Sequence, residues 1–441
     1  MIPAITSEYI FSKLGSNASL LPLAVKDLAN STGLTVGSYI TGKDVEGKDR
    51  FIDEFGTEAI WLGGIPFFKA ITDLTLYKIL GIDPKFDVRN LKNKEILAKA
   101  IEKAPTEEIK QSIIKASNNP KFTKNLAMAK FGFSTFAAIF TYATLTKFRQ
   151  KYRLQEAKEE LREKNKKNKL KNKIKNFPNT YTEKVPKAFS AVHKNKNNKD
   201  ISFSGSIQDF MFNPVKNLMI LDGSITAERL ASSQSNQELI NYIIKEGGTW
   251  FFMYFAGSMI QKYLENHSKV PIKLDSMIIE SKELKESFKD NSLKNSLDEY
   301  SSQISKDAKD IDIYKFIHEN PDNFIVKMAK KSKLIKTLKN SDAIDTRAFI
   351  DINDIKDLKS NLEELYKKAP KDNVEKYLKD VVKAKRGAVL KNIGTCIGAL
   401  GIAVPALMIA MRYILPNNRE YKVMEMAKQD NQKDNKLSKM A

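Results

Sequence analysis

The chain has 441 residues, of which 42% are hydrophobic, and a formal net charge of +21. That apolar content excludes a wholly disordered polypeptide, and the length suits two or three domains. Cys396 is the single cysteine, which excludes an intrachain disulfide and a thiolate metal cluster.

The leader, residues 1–19, opens with Met1-Ile2-Pro3-Ala4 and has no basic n-region, so no secretory signal is expected. From there the chain reads as an all-α protein made of two diverged copies of one helical unit, because landmarks recur in the same order. The first repeat covers residues 20–147. The second is divided into 201–275 and 351–413 by a helical insertion, 276–350.

Pro22-Leu23-Ala24-Val25 pairs with Pro214-Val215-Lys216-Asn217, and both lead to Ser-Ile-Thr-like turns at 38–41 and 224–226. Helices ending in glycine follow, Ile52 to Gly56 and Ile244 to Gly248, with Thr57 and Thr249 next. Aromatic apolar runs around Trp61 and Trp250 come after them. The triplet Lys-Ala-Pro recurs at 103–105 and 368–370 between amphipathic helices, where proline closes one helix and opens the next. Each copy ends in an apolar segment, Phe131–Thr146 and Asn392–Met411.

Between the copies, residues 148–200 form a basic helical extension and linker. Its first half lacks Gly and Pro and should prolong the preceding helix as a charged rod. Lys166, Lys167, Lys169, Lys171, Lys173 and Lys175 crowd there. In the insertion, Phe324, Met328, Ile335 and Leu338 fall at helical spacing. Residues 414–441 are a charged tail.

A bilayer core asks for about 20 residues of helix. Asn392–Met411 supplies that length without a charge, bracketed by Lys391 and Arg412, with Tyr413 at the interface position. Phe131–Thr146, between Lys130 and Lys147, is slightly short. The runs near Trp61 and Trp250 are shorter still and suit an interfacial, re-entrant or core helix. Gly394 and Gly398 form a small-xxx-small step. The lysine runs after Thr146 and Met411 both ask for the cytoplasmic side, which needs an even number of crossings between them.

The chemistry-bearing residues form no catalytic constellation. His193, His267 and His318 are not paired at metal-ligand spacing, and phosphate-loop, dinucleotide and nucleophile-elbow motifs are missing from the sequence. Glu54 and Glu246 recur three residues before Thr57 and Thr249 and are read as helix-surface carboxylates. No enzyme, cofactor or metal is expected.

The expected role is a membrane-associated structural or interaction protein of a bacterial inner membrane, its basic linker cytoplasmic, with anionic lipid or acidic protein as partner. The alternatives are a soluble nucleic-acid-binding module using the basic linker, or a small transporter or channel component with pseudo-symmetric halves. Arginine scarcity weighs against nucleic acid. The transporter reading requires polar groups lining a path between the copies.

Overall fold

The computed structural model describes residues 7–15, 20–41, 44–172, 211–233, 236–305, 307–370 and 372–414. It is all-helical, 81% of it, with no strand among the described residues. Helix starts follow local chemistry. Asn213 accepts from the amides of Val215 and Lys216 ahead of Pro214, and Asn93, Thr106, Asp275, Ser281 and Asp351 cap their helices in the same way.

Six rods form a closed ring. The first is α2 (Leu21–Thr41). The second joins α3 (Asp44–Ala59), a π-helix (Ile60–Gly64) and α4 (Ile65–Thr72), and continues through a second π-helix (Asp73–Tyr77) into α5 (Lys78–Leu80). After α6 (Lys94–Glu102) and α7 (Glu107–Asn118) comes the third rod, α8 (Pro120–Asn172). The fourth is α9 (Pro214–Ala231). The fifth joins α10 (Asn236–Trp250), a π-helix (Phe251–Ala256) and α11 (Gly257–His267).

The insertion and its sequel supply α12 (Ser276–Ile279), α13 (Lys282–Lys289), α14 (Ser292–Gln303), α15 (Asp310–Glu319), α16 (Phe324–Lys331) and α17 (Ile352–Lys368). The sixth rod joins α18 (Val374–Gly398), a π-helix (Ala399–Ala403) and α19 (Val404–Ile414). Around the ring, α2 packs on α3, α3 and α4 on α8, α8 on α9, α9 on α10, α10 on α19, and α18 and α19 on α2. The tightest crossing is α2 against the sixth rod. A Cβ on Gly33 would sit 2.1 Å from the Gly401 carbonyl oxygen, so only glycine fits there.

A second body caps one end of the ring, called here the near end. Its core joins α12 to α17, the first half of α18, and Ala100 of α6 in the most extensive buried apolar cluster of the molecule. Asn90 ties the first half to it by donating to the carbonyls of Arg347 (3.2 Å) and Ala348 (3.4 Å). Arg347 returns an ion pair to Asp83 at 2.7 Å.

Several local expectations change. Ser38–Thr41 and Ser224–Thr226 lie within helices, not turns. Gly56 and Gly248 do not end their helices, because each helix runs on into a π-helix without a left-handed residue. The apolar run near Trp61 is not an isolated short piece but part of a 35-residue helical stretch, Glu46–Leu80. Among the described residues, that stretch, Pro120–Glu163 and Val374–Met411 are the three helices long and apolar enough to cross a membrane. In the insertion the helical spacing stops at Lys331. Lys333 (φ 63°) and Asn340 (φ 62°) adopt left-handed backbone, so Ile335 and Leu338 reach their cores from a turn.

Candidate functional site

The ring is apolar on its outer wall and buries a charged cluster within. Its outer surface exposes Phe67, Leu74 and Ile79 on the second rod, Phe133, Phe136 and Phe140 on α8, Phe251, Phe255 and Met259 on the fifth rod, and Ile402 and Leu407 on the sixth. Its interior holds an apolar cluster that includes Leu23, Trp61, Leu221 and Leu400, and beside it a cluster of charge. Asp53 is 0% exposed, Lys245 1%, Glu54 3% and Arg149 3%.

Charged residues can be buried only when paired. Arg149 reaches Asp49 at 3.0 Å and Asp53 at 2.5 Å. Arg229 donates to Glu246 (2.6 Å), Asp53 (3.2 Å), the Thr57 hydroxyl (3.2 Å) and the Tyr142 hydroxyl (2.8 Å). Lys245 stands between the two recurring glutamates, 2.8 Å from Glu54 and 3.3 Å from Glu246. Arg50 lies 3.2 Å from Glu54, and Arg153 of α8 lies 3.7 Å from Asp49. Four carboxylates (Asp49, Asp53, Glu54, Glu246) thus meet five cations (Arg50, Arg149, Arg153, Arg229, Lys245). Four rods contribute, and Arg229 alone joins α9 to α3, α8 and α10.

Toward the near end lie two more carboxylates, one per half. Asp27 of α2 accepts from the Trp61 indole N–H at 2.7 Å. Asp222 of α9 accepts from the Tyr254 hydroxyl. Each aromatic donor sits in a π-helix, whose wide turn sets its side chain toward the axis. Neither aspartate has an ion pair with a described lysine or arginine. Burial first, then the Glu54 charge, pushes Asp27 up to about 6. Burial first, then the Asp27 charge, pushes Asp222 up to about 8. Both line a cavity of about 30 Å³ with Asn30, Ser31, Thr249 and Trp250. A larger cavity of about 190 Å³ lies nearer the cap and shares Met253 with the first.

Glu54 and Glu246 are therefore interior residues and not helix-surface carboxylates, since the ion network removes the desolvation cost that would keep them outside. The rest of the network escapes a motif search because its members come from four helices. A usable signal was present: Lys26-Asp27, Asp222 and Arg229 interrupt helices that are otherwise apolar.

The residues expected at the membrane boundary behave differently from one another. Lys130 pairs with Asp73 and lies over the Tyr77 ring, 4.9 Å from its centroid, so it is turned along the protein surface. Lys147 and Lys391 are exposed. Gly394 and Gly398 have no neighbour within 4 Å of a built Cβ, so the small-xxx-small step makes no helix contact within this chain. Lys166, Lys167, Lys169 and Lys171 belong to the α8 backbone. Their side chains, those of Arg412 and Tyr413, and the whole of Lys173 and Lys175 lie outside the described residues. Compared with protein-family models, with curated proteins and with solved structures, the chain finds no match.

Proposed function

We propose that this is a membrane-associated structural or interaction protein without catalytic activity, held in the lipid by the apolar outer wall of its ring. The observation that carries the reading is the polarity of the ring: phenylalanines and leucines face outward while arginines, lysines and carboxylates are buried within. Water would reward the reverse arrangement, and exposed apolar patches of this extent mark lipid or protein contact. The lysine-rich segments then meet anionic headgroups or an acidic partner, each basic residue near the surface contributing about 1 kcal/mol.

The proposal includes the duplication. Pro22 and Pro214, Ile52 and Ile244, Glu54 and Glu246, Gly56 and Gly248, and Thr57 and Thr249 all stand 192 positions apart. A π-helix follows at the matching place, 60–64 and 251–256. Each half supplies three consecutive rods, and each rod meets the counterpart of the neighbour its twin meets.

Connectivity decides how the ring sits. Arg149 of α8 lies at the far end, against Asp49 at the start of α3. The fourth rod starts at the near end, where Met211 packs on Val88 and Ala127. Residues 173–210 join the third rod to the fourth in sequence. They hold seven lysines and three carboxylates, and their longest uncharged run is eight residues, 201–208. Such a sequence cannot cross hydrocarbon, where every backbone group must be satisfied internally. The ring is therefore seated in the membrane without being threaded through it, with both ends in one aqueous compartment.

The test is labelling by a membrane-impermeant maleimide in sealed vesicles, on a Cys396→Ala background. Ser341→Cys reports the near end and Lys151→Cys the far end. Both should react from the same side and should stay with the vesicles in high salt. Labelling from opposite sides would establish a full traverse, and release by salt would exclude insertion altogether.

A further inference from the structure

The cations of the ion network are engaged by Asp49, Asp53, Glu54 and Glu246, and none of them forms an ion pair with either of the two aspartates beside it. Asp27 and Asp222 come from different halves, line one cavity of about 30 Å³, and repel each other. Arg229 and Lys245 act on Asp27, and Arg229 on Asp222, without forming an ion pair with either. Glu54 and Glu58 of α3 are acidic, and Glu58 also has no ion pair among the described residues. On the opposite side Glu246 faces Arg229 and Lys245, both already committed. Lys26, on the same helix as Asp27, donates to the carbonyls of Phe252 (3.4 Å) and Met253 (3.5 Å). Trp61 and Tyr254 offer hydrogen bonds but no charge.

A second observation points to an occupant. Asn30 is 1% exposed and lines the same cavity. Its amide nitrogen donates to the Thr249 hydroxyl at 3.2 Å, and its amide oxygen is left without a partner. An orphaned oxygen at full burial is costly unless something fills the space before it. The cavity has room for one water-sized species. The rest of its polar lining carries four carboxylates (Asp27, Glu54, Asp222 and Glu246) against two cations (Arg229 and Lys245), with the hydroxyls of Ser31, Thr57 and Thr249. Hard oxygen donors of this kind suit a small hard cation.

We propose that the cavity between Asp27 and Asp222 binds one small positive charge, a proton or a small monovalent cation, and that this charge joins the two halves of the ring. Binding needs no redox or covalent step. A proton converts one carboxylate to a neutral acid that donates across the cavity, whereas a metal cation would take both carboxylates and the Asn30 oxygen as ligands. The site depends on burial and charge alone, so it stands whether or not the ring is seated in lipid.

The full-length protein in mild detergent serves for the test, with Asp27→Asn and Asp222→Asn as variants, since asparagine still accepts from Trp61 and Tyr254. Difference infrared spectra near neutral pH should show the carbonyl stretch of a buried protonated carboxyl, and Asp222→Asn should remove it. In parallel, unfolding temperature is followed in sodium, potassium and choline chloride at equal ionic strength. A protonated-carboxyl band that disappears in the variant assigns the charge to a proton. Absence of that band, with sodium- or potassium-specific stabilisation that the variants lose, assigns it to the metal cation. If neither appears, or both aspartates can be neutralised together without altering either readout, the proposal is wrong.

Discussion

Arg229→Met tests whether the interior network clamps the ring. The side chain is 5% exposed and makes four hydrogen bonds, to two carboxylates and two hydroxyls, and a cation–π contact with the Tyr142 ring. Its removal does not strand every partner, because Asp53 keeps Arg149 at 2.5 Å and Glu246 keeps Lys245 at 3.3 Å. What remains is one uncompensated carboxylate in the interior and two buried hydroxyls with one bond fewer. Breaking a buried ion pair from one side costs about 3–5 kcal/mol, and each orphaned hydroxyl about 1–3 kcal/mol. The retained pairs hold the total near the lower part of that range, so the expected loss is about 4 kcal/mol. Arg229→Lys keeps the charge but loses the fork, and should cost about 2 kcal/mol. Tryptophan fluorescence is the suitable probe. The chain has two tryptophans, Trp61 and Trp250, and both face the ring interior. Denaturant unfolding in mild detergent, read at these two residues, should rank wild type, Arg229→Lys and Arg229→Met in that order. If Arg229→Met costs no more than the exposed control Lys327→Met, the network is ornament and the clamp reading fails.

Two further changes follow from the same structure. Gly33→Ala should force the first and sixth rods apart and destabilise by about 3 kcal/mol, whereas Gly398→Ala, which meets open space, should be neutral or stabilising by up to about 1 kcal/mol; thermal unfolding of the two variants side by side checks this. In the capping body, burial first and then the charges of Lys99 and Lys103 hold His318 down to about 4, against an ordinary 6.5. The folded protein therefore binds fewer protons than the unfolded chain between these values, so stability is complete above pH 6.5 and falls toward pH 4, by at most about 3 kcal/mol. His318→Gln should flatten that slope in urea titrations followed by circular dichroism; an unchanged slope would place the proton uptake elsewhere.

Helical character was legible because long stretches lack glycine and proline and repeat their apolar residues at 3–4 spacing. The end segments Phe131–Thr146 and Asn392–Met411 were legible as apolar rods for the same reason. The second rod was not. Lys69, Asp73 and Lys78 break its apolar run in the sequence, but in the fold Asp73 is taken up by Lys130, so the rod continues. Ile335 and Leu338 kept their helical register on paper while the helix ended at Lys331 ahead of the left-handed Lys333, since a left-handed Lys carries no signal as strong as glycine. The interior site was the least legible part. Sequence shows which residues are charged but not which face of a helix turns inward, and here apolar residues line both the outer wall and part of the interior while a charged cluster is buried beside them.

That buried charge has a consequence for the two halves. At matching positions of the proposed repeat, Asp53 corresponds to Lys245 and Gly37 to Arg229. In two identical copies, like charges would meet across the axis. Divergence within one chain replaces that repulsion with attraction: the first half brings Asp49, Asp53 and Glu54 with Arg50, Arg149 and Arg153, and the second brings Arg229 and Lys245 with Glu246, Arg229 reaching Asp53 and Lys245 reaching Glu54 across the halves. In the second half alone, Arg229 and Lys245 keep only Glu246 as an ion-pair partner. A buried uncompensated charge costs several kcal/mol, a large share of a domain's stability of about 5–15 kcal/mol. Cutting the gene between Ser190 and Ala191 should therefore give two fragments that do not fold separately, each with one tryptophan, Trp61 or Trp250, in a solvent-exposed state. Co-expression should restore a complex with both tryptophans buried. A first-half fragment that unfolds cooperatively by itself, with Trp61 protected, would show that the halves are independent units merely lying side by side.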